Sequence, residues 1–221
     1  TFGSAGYAIN AVGYNQEDGM MYANSGSNLI RIDADGVVTV LSVINPFGSN
    51  TGDCDNSGNY YFINTGGNQV AKYDVSANTI STSGLSGSFP AQDMAFISGS
   101  FYGVNGTTLY RFNPSGNSVS SSAVTGTLAD ESDLNGSTWS AAWSASDGYL
   151  YVVNQSSHRF YKIDVSTGLS FYAGTGSGSL SNSDGASCHA ASSPMPDNGA
   201  AGDFVWQDYD NDGIQDTGEP G

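Results

Sequence analysis

The sequence predicts an all-β fold, a β-propeller of about five blades, and three observations carry that expectation. One pattern, a hairpin followed by an aromatic strand and then a strand holding a basic residue, recurs four times. Its copies are EDGMMYA (17–23) with LIRIDADG (29–36), NSGNYYFI (56–63) with QVAKYDVSAN (69–78), ISGSFYGV (97–104) with LYRFNPSGN (109–117), and SDGYLYVV (146–153) with FYKIDVSTG (160–168). The hairpin glycines Gly19, Gly58, Gly99 and Gly148 lie 39, 41 and 49 residues apart, a spacing of short strands and turns that matches propeller blades. The second observation is composition: Gly is 30 of 221 residues, Pro only 6, and Ser, Thr and Asn are abundant. The third is the absence of any sustained 3.6-residue apolar period, which leaves helices without support.

Each repeat opens on a small-residue strand suited to a crowded centre: INAVGYN (9–15), TGDCDNS (51–57), QDMAFIS (92–98) and WSAAWSAS (139–146). An aromatic strand follows the turn, then the basic strand, then an outer strand such as VVTVLSV (37–43), which makes four strands per blade. All five basic residues, Arg31, Lys72, Arg111, Arg159 and Lys162, fall in or just before the third strand. That placement reads as structural, with aliphatic stems covering neighbours. Four complete repeats are visible. Residues 170–193 add strand material and another DG turn, so the closing blade is expected to be shared or incomplete, completed from both chain ends or by another chain.

The domain plan is thus a propeller over 1–193, a linker at 194–201 and a distinct segment at 202–221. That last segment, GDFVWQDYDNDGIQDTGEPG, carries a 12-residue calcium-loop pattern. Oxygen ligands fall at Asp208, Asp210, Asp212, Asp216 and Glu219, with Gly213 at the sharp turn and the Ile214 carbonyl as a further ligand. A hard cation takes six to eight oxygens, and these carboxylates would repel one another without one, so the expected cofactor is Ca2+. The flanks read as strand and Pro220, which suits a structural site and not a sensor.

The net charge of -16, from 21 acidic and 5 basic residues, repels phosphate and excludes nucleic acid and anionic lipid as expected partners. No run of 18 apolar residues suggests membrane insertion. Cys54 and Cys188 are the only cysteines. In an oxidising compartment they could pair, constraining a long loop by roughly 4 to 5 kcal/mol in the chain-entropy view, or they could be two free thiols. DCDNSGN (53–59) reads either as a second cation loop or as an ordinary hairpin. His158 and His189 lack zinc spacing and read as surface or packing residues. GTGSGS (174–179) has no helix after it to cradle phosphate. No nucleophile-elbow sequence occurs, and the chain is expected not to be an enzyme. Trp139 and Trp143 are candidate sugar-stacking residues at the propeller mouth, although most aromatics should pack between blades.

Two resemblances follow from these residues. GDFVWQDYDNDGIQDTGEPG resembles the opening of the B-type modules of serine-aspartate repeat surface proteins, related to the collagen-adhesin B fold. That likeness implies calcium bound by Asp208, Asp210, Asp212, Ile214, Asp216 and Glu219. Residues 8–190, through INAVGYNQEDGMMYA, GDCDNSGNYYFI, LYRFNP, AAWSASDGYLYVV and NSDGASC, are similar to an uncharacterised propeller-like repeat domain of large secreted bacterial proteins. Together they imply a secreted, calcium-binding bacterial surface or matrix protein whose propeller presents an adhesion face to a glycan or protein. The alternative expectation is a structural subunit of an extracellular fibre or sheet, completed by copies of itself.

Overall fold

The computed structural model describes residues 8–126, 139–176 and 183–193. They form four antiparallel four-stranded sheets, each contiguous in sequence. The first holds β1 (Asn10–Asn15), β2 (Met20–Ser25), β3 (Asn28–Ile32) and β4 (Val38–Ile44). The second holds β5 (Thr51–Cys54), β6 (Asn59–Ile63), β7 (Gln69–Asp74) and β8 (Thr79–Gly84). The third holds β9 (Ala95–Ile97), β10 (Ser100–Asn105), β11 (Thr108–Asn113) and β12 (Ser118–Ala123). The fourth holds β13 (Trp139–Ser144), β14 (Tyr149–Asn154), β15 (Arg159–Asp164) and β16 (Ser170–Thr175). These are the four repeats read as blades, and among the described residues there is no helix.

The strands β1, β5, β9 and β13 lie innermost and touch in succession, β1 on β5, β5 on β9 and β9 on β13. Alternating side chains place apolar residues of both sheet faces between neighbouring blades. Ala11, Tyr22, Leu29, Tyr60, Phe62 and Tyr73 pack between the first and second sheets. Tyr61, Met94, Phe96, Phe101 and Phe112 fill the space between the second and third. Ile97, Val104, Leu109, Trp139, Val152 and Tyr161 fill that between the third and fourth. The remaining face of the first sheet carries a smaller cluster built on Ala23, Ile30 and Ile32.

The basic third strand has a reason visible in the register. Tyr22 stands opposite Arg31, Tyr61 opposite Lys72, Tyr102 opposite Arg111, and Tyr151 opposite Lys162. Each sheet thus sets a tyrosine across from a cation at the same place; Lys72 lies 5.9 Å from the Tyr61 ring centre and Arg111 6.0 Å from that of Tyr102, whereas in the fourth sheet Lys162 lies over Tyr149, at 4.8 Å. In three sheets the tyrosine hydroxyl also bonds an aspartate of the preceding hairpin: Tyr22 with Asp18, Tyr61 with Asp55, Tyr151 with Asp147. The third sheet departs from this. Its hairpin is only Ser98–Gly99, with φ of 47° and 87°, the two-residue turn that needs positive φ at both positions, and it supplies no acid.

Residues 183–193 form no regular strand, yet they contact all four sheets. No helix among the described residues is long and apolar enough to cross a membrane.

Candidate functional site

Two features meet at the centre of the ring: a set of buried aspartates and a polar mouth above them. The aspartates occupy corresponding places in three central segments, Gly52-Asp53-Cys54, Gln92-Asp93-Met94 and Ser183-Asp184-Gly185. In each, one carboxylate oxygen accepts from the next residue's own N–H: Cys54 at 2.8 Å, Met94 at 2.8 Å, Gly185 at 3.0 Å. The other reaches forward to a neighbouring segment. Phe96 N–H donates to Asp53 Oδ2 at 2.8 Å, Ala142 N–H to Asp93 Oδ2 at 2.6 Å, and Val12 N–H to Asp184 Oδ2 at 3.1 Å. Gly185 N–H also donates to Asp93 Oδ2 at 3.1 Å. Aspartates therefore stitch sheet two to three, three to four, and residues 183–193 to sheet one.

Burial governs the charge of this set. It pushes the Asp93 carboxyl well above the usual carboxylate range, and the nearby Asp184 charge pushes it further, against the pull of the Ala142 and Met94 amides. Asp184 is raised to about 6, again by burial first, and its hydrogen bond with Asp93 and the Val12 amide draw it back down. Both carboxyls are thus displaced in the same direction, towards the protonated form, because burial and a close like charge disfavour the ionised one.

Residues 183–193 seat themselves through further bonds. The Ser140 and Ser183 hydroxyls lie 2.8 Å apart, the Ser187 hydroxyl donates to the Ser144 carbonyl, and Ser146 N–H donates to the Ala191 carbonyl at 2.9 Å. His189 Nε2 lies 3.0 Å from Asp53 Oδ2, and its Nδ1 lies 3.3 Å from Gln16 Nε2 and 3.2 Å from Asn56 Oδ1. Its ring also packs near Phe96, with centres 5.6 Å apart. At Gly185 an added Cβ would stand 2.3 Å from the Ala142 carbonyl, so only glycine allows this approach.

The mouth is a cavity of about 170 Å³ lined by Asn10, Asn50, Gln92, Ser140, Gln155, Ser183 and Asp184. Its donors and acceptors are amides and hydroxyls over an acidic floor, and no lysine, arginine or histidine is among the lining residues.

Trp139 is 4% exposed, packed edge-on against Tyr161, and its indole N–H donates to the Gly106 carbonyl at 3.1 Å. Trp143 stacks on Tyr151, with ring centres 5.8 Å apart, and meets Phe160 at 6.1 Å. Neither is among the residues lining the mouth, because alternation along β13 turns them onto sheet faces.

Of the two alternatives left open for Cys54 and Cys188, the structure has the free thiols. Cys54 is buried beside Ala11, Tyr60 and Phe62, whereas Cys188 reaches Gln16 Oε1 at 3.6 Å. In DCDNSGN the two acids diverge: Asp53 turns to the centre, while Asp55 accepts from the Ser57 and Asn59 amides of its own hairpin. His158 lies in the β14–β15 turn at a φ of 58°, its carbonyl accepting from Gly176 N–H. The expected calcium loop, Asp208, Asp210, Asp212, Ile214, Asp216 and Glu219, lies outside the described residues, as does the second half of GTGSGS.

Sequence reasoning missed the aspartate set and His189. The aspartates offered only a weak signal, since Asp53 stands five residues before its hairpin glycine, Asp93 six before its own, and Asp184 lies outside the four repeats. For His189 there was none, because its partner Asp53 is 136 residues away.

Four sheets stacked face to face around shared inner strands define the β-propeller class. Within that class the chain belongs to the family described as a repeat of unknown function (DUF6923), whose match covers residues 1–190. A search of curated proteins finds no match. Among solved structures, an auxiliary nutrient binding protein from Bacteroides ovatus superposes with a TM-score of 0.56 at 12% identity, over 80% of this chain and 43% of that one. A nidogen/laminin complex gives 0.55 at 11%, over 74% and 62%. The virginiamycin B lyase of Staphylococcus aureus gives 0.51 at 12%, over 76% of this chain, which spans 56% of the lyase's length. At such identities the likeness concerns the fold alone.

Proposed function

We propose that this chain is a non-catalytic, ligand-presenting propeller of a secreted bacterial surface or matrix protein, followed by the start of a calcium-binding B-type module. The observation that carries the reading is the mouth. Its ring of Asn10, Asn50, Gln92, Ser140, Gln155 and Ser183 offers paired donors and acceptors, the chemistry that recognises an uncharged polyhydroxylated group such as a glycan end. At about 170 Å³ it admits a terminal group and not a long chain. A non-catalytic role is supported by what the polar groups there do: the Ser140 and Ser183 hydroxyls bond each other, and His189 Nε2 is engaged by Asp53. The nutrient-binding propeller of similar fold agrees with a binding role. The acidic composition and the loop Asp208–Glu219 favour an extracellular, calcium-rich setting.

The test is a neutral glycan array followed by NMR titration of any hit. Gln92→Ala and Asn50→Ala should each weaken binding about tenfold, since each removes a positioned polar partner. No neutral glycan bound, or binding unaffected by both variants, would count against this reading. Calcium is tested separately, by calorimetry with and without chelator on the protein and on Asp210→Asn.

A second reading, a subunit of a fibre or sheet, rests on the outer strands. Those of the second and third sheets, β8 and β12, are rich in Ser and Thr. Val40 and Ile44 on β4, and Phe171 and Tyr172 on β16, are exposed instead. The two sheets that would flank a fifth blade thus carry apolar edges, which a neighbour's strand could cover. A chain that stays monomeric at high concentration in calcium, by light scattering, would rule this out.

A further inference from the structure

We infer a second binding site, for an acidic sugar, in the groove between the third and fourth sheets. This goes beyond the mouth reading and uses none of its residues. The groove encloses about 330 Å³, at the lower end of the range for small-molecule sites, and is lined by Tyr102, Leu109, Arg111, Ser120, Ser122 and Val165, among others.

The argument starts from the repeat. In sheets one, two and four the cross-strand tyrosine–cation pair comes with a hairpin aspartate bonded to the tyrosine: Asp18, Asp55 and Asp147. The short Ser98–Gly99 turn removes that aspartate from the third sheet alone, while Tyr102 and Arg111 remain. Arg111 donates through Nε to the Ser100 hydroxyl at 3.0 Å and lies over the Tyr102 ring. Among the described residues no carboxylate pairs with it, and Arg111 lines the groove. In a chain of 21 acids and 5 bases, Arg111 thus stands beside a cavity with no acid partner among the described residues.

Register supplies the rest of the site. Ser120 stands directly opposite Arg111, and Ser122 opposite Leu109, so both hydroxyls share the guanidinium's face. Val165 and Ser166 of the fourth sheet's outer turn form the far wall. The Ser166 hydroxyl already donates to Asp164, which keeps the anion at the Arg111 end. Guanidinium geometry fits a carboxylate through two parallel bonds, while the Ser120 and Ser122 hydroxyls fit the ring hydroxyls of a pyranose that carries it. A uronic acid combines both features. An acidic peptide has the carboxylate but nothing for the hydroxyl row.

The test is an NMR titration of the whole chain with methyl glucuronide, methyl glucoside and N-acetylglutamate amide. The glucuronide should shift the Tyr102, Ser120 and Val165 amides, with the other two binding at least tenfold more weakly. Arg111→Gln should weaken glucuronide binding at least tenfold. Ser120→Asp, an exposed position directly across from Arg111, should do the same by giving the guanidinium an internal partner while leaving the fold intact by circular dichroism. Equal response to glucuronide and glucoside, unchanged binding in both variants, shifts confined elsewhere, or N-acetylglutamate amide binding as tightly as the glucuronide would each overturn the assignment.

Discussion

The seams between successive sheets of this propeller differ from the place where the ring returns to its start. Between sheets two and three, Phe96, Phe101, Phe112 and Tyr61 interlock with ring centres 5.0 to 6.2 Å apart. Where sheet four comes back towards sheet one, residues 183–193 hold the ends together by hydrogen bonds from Asp184, Ser187 and His189. The first kind of seam gains from removing apolar surface from water and tolerates little loss of volume. The second depends on every buried polar group finding its partner, and on the protonation of carboxyls, so it responds to pH and to single atoms. One chain thus carries both a rigid stack and a conditional closure.

The largest expected effect falls on the apolar side. Phe101→Ala should cost about 3–5 kcal/mol, the range for emptying a buried aromatic site, measured by urea unfolding. Trp143→Ala, on the half-buried outward face of sheet four, should cost clearly less. Equal costs would remove the distinction between the two regions.

The pH response comes next. An unfolded aspartate titrates near about 3.9, whereas Asp184 in the folded chain titrates at about 6. Between those values the folded protein holds a proton that the unfolded chain has released. The Asp184 contribution therefore favours folding most below about pH 4 and is lost as pH rises through 6. That separation corresponds to about 3 kcal/mol, and burial displaces the Asp93 carboxyl in the same direction. Asp74 and Asp164 act oppositely, held low by the Ala77 amide and the Ser166 hydroxyl respectively, so the difference between variant and parent is the clean measure. Asp184→Asn should flatten stability between pH 4 and 7 relative to the parent. A parallel offset at all pH values would show that the closing carboxyl carries no proton linkage.

How much of this was legible depended on distance along the chain. The four blades were, because each is a contiguous run of hairpins whose turns and alternation are local. The position of the five cations was legible too, but its reason was not: Tyr22 and Arg31 become partners only once the register of β2 and β3 is fixed. The calcium-loop expectation is likewise local, resting on the contiguous pattern from Asp208 to Glu219, which lies outside the described residues. The mouth was misplaced because Trp139 and Trp143 suggested it by chemistry, while alternation turns both away from it. The closing contacts of Asp184 and His189 join residues 172 and 136 positions apart, which no local pattern encodes.

Gly185→Ala tests the closure by shape. Its new methyl would press on the Ala142 carbonyl, and crowding of this kind costs about 1–3 kcal/mol. Hydrogen exchange should show the Val12 and Ala142 amides losing protection while those around Phe101 keep theirs. Uniform loss across the sheets would mean that closure and stack unfold as one unit.

The smallest effect is expected at Cys188, and it separates two accounts of how the ends are held. As a free thiol it makes one long contact to Gln16, so Cys188→Ser should change stability by less than about 1 kcal/mol even under oxidising conditions. A disulfide to Cys54 would close a loop of more than a hundred residues, and its loss would cost about 4–5 kcal/mol. Cys54 is fully buried among aromatic side chains, and that burial pushes its thiol well above the usual range, which keeps it from the reactive thiolate form. A large oxidant-dependent loss on Cys188→Ser would therefore show a covalent closure in place of the hydrogen-bonded one.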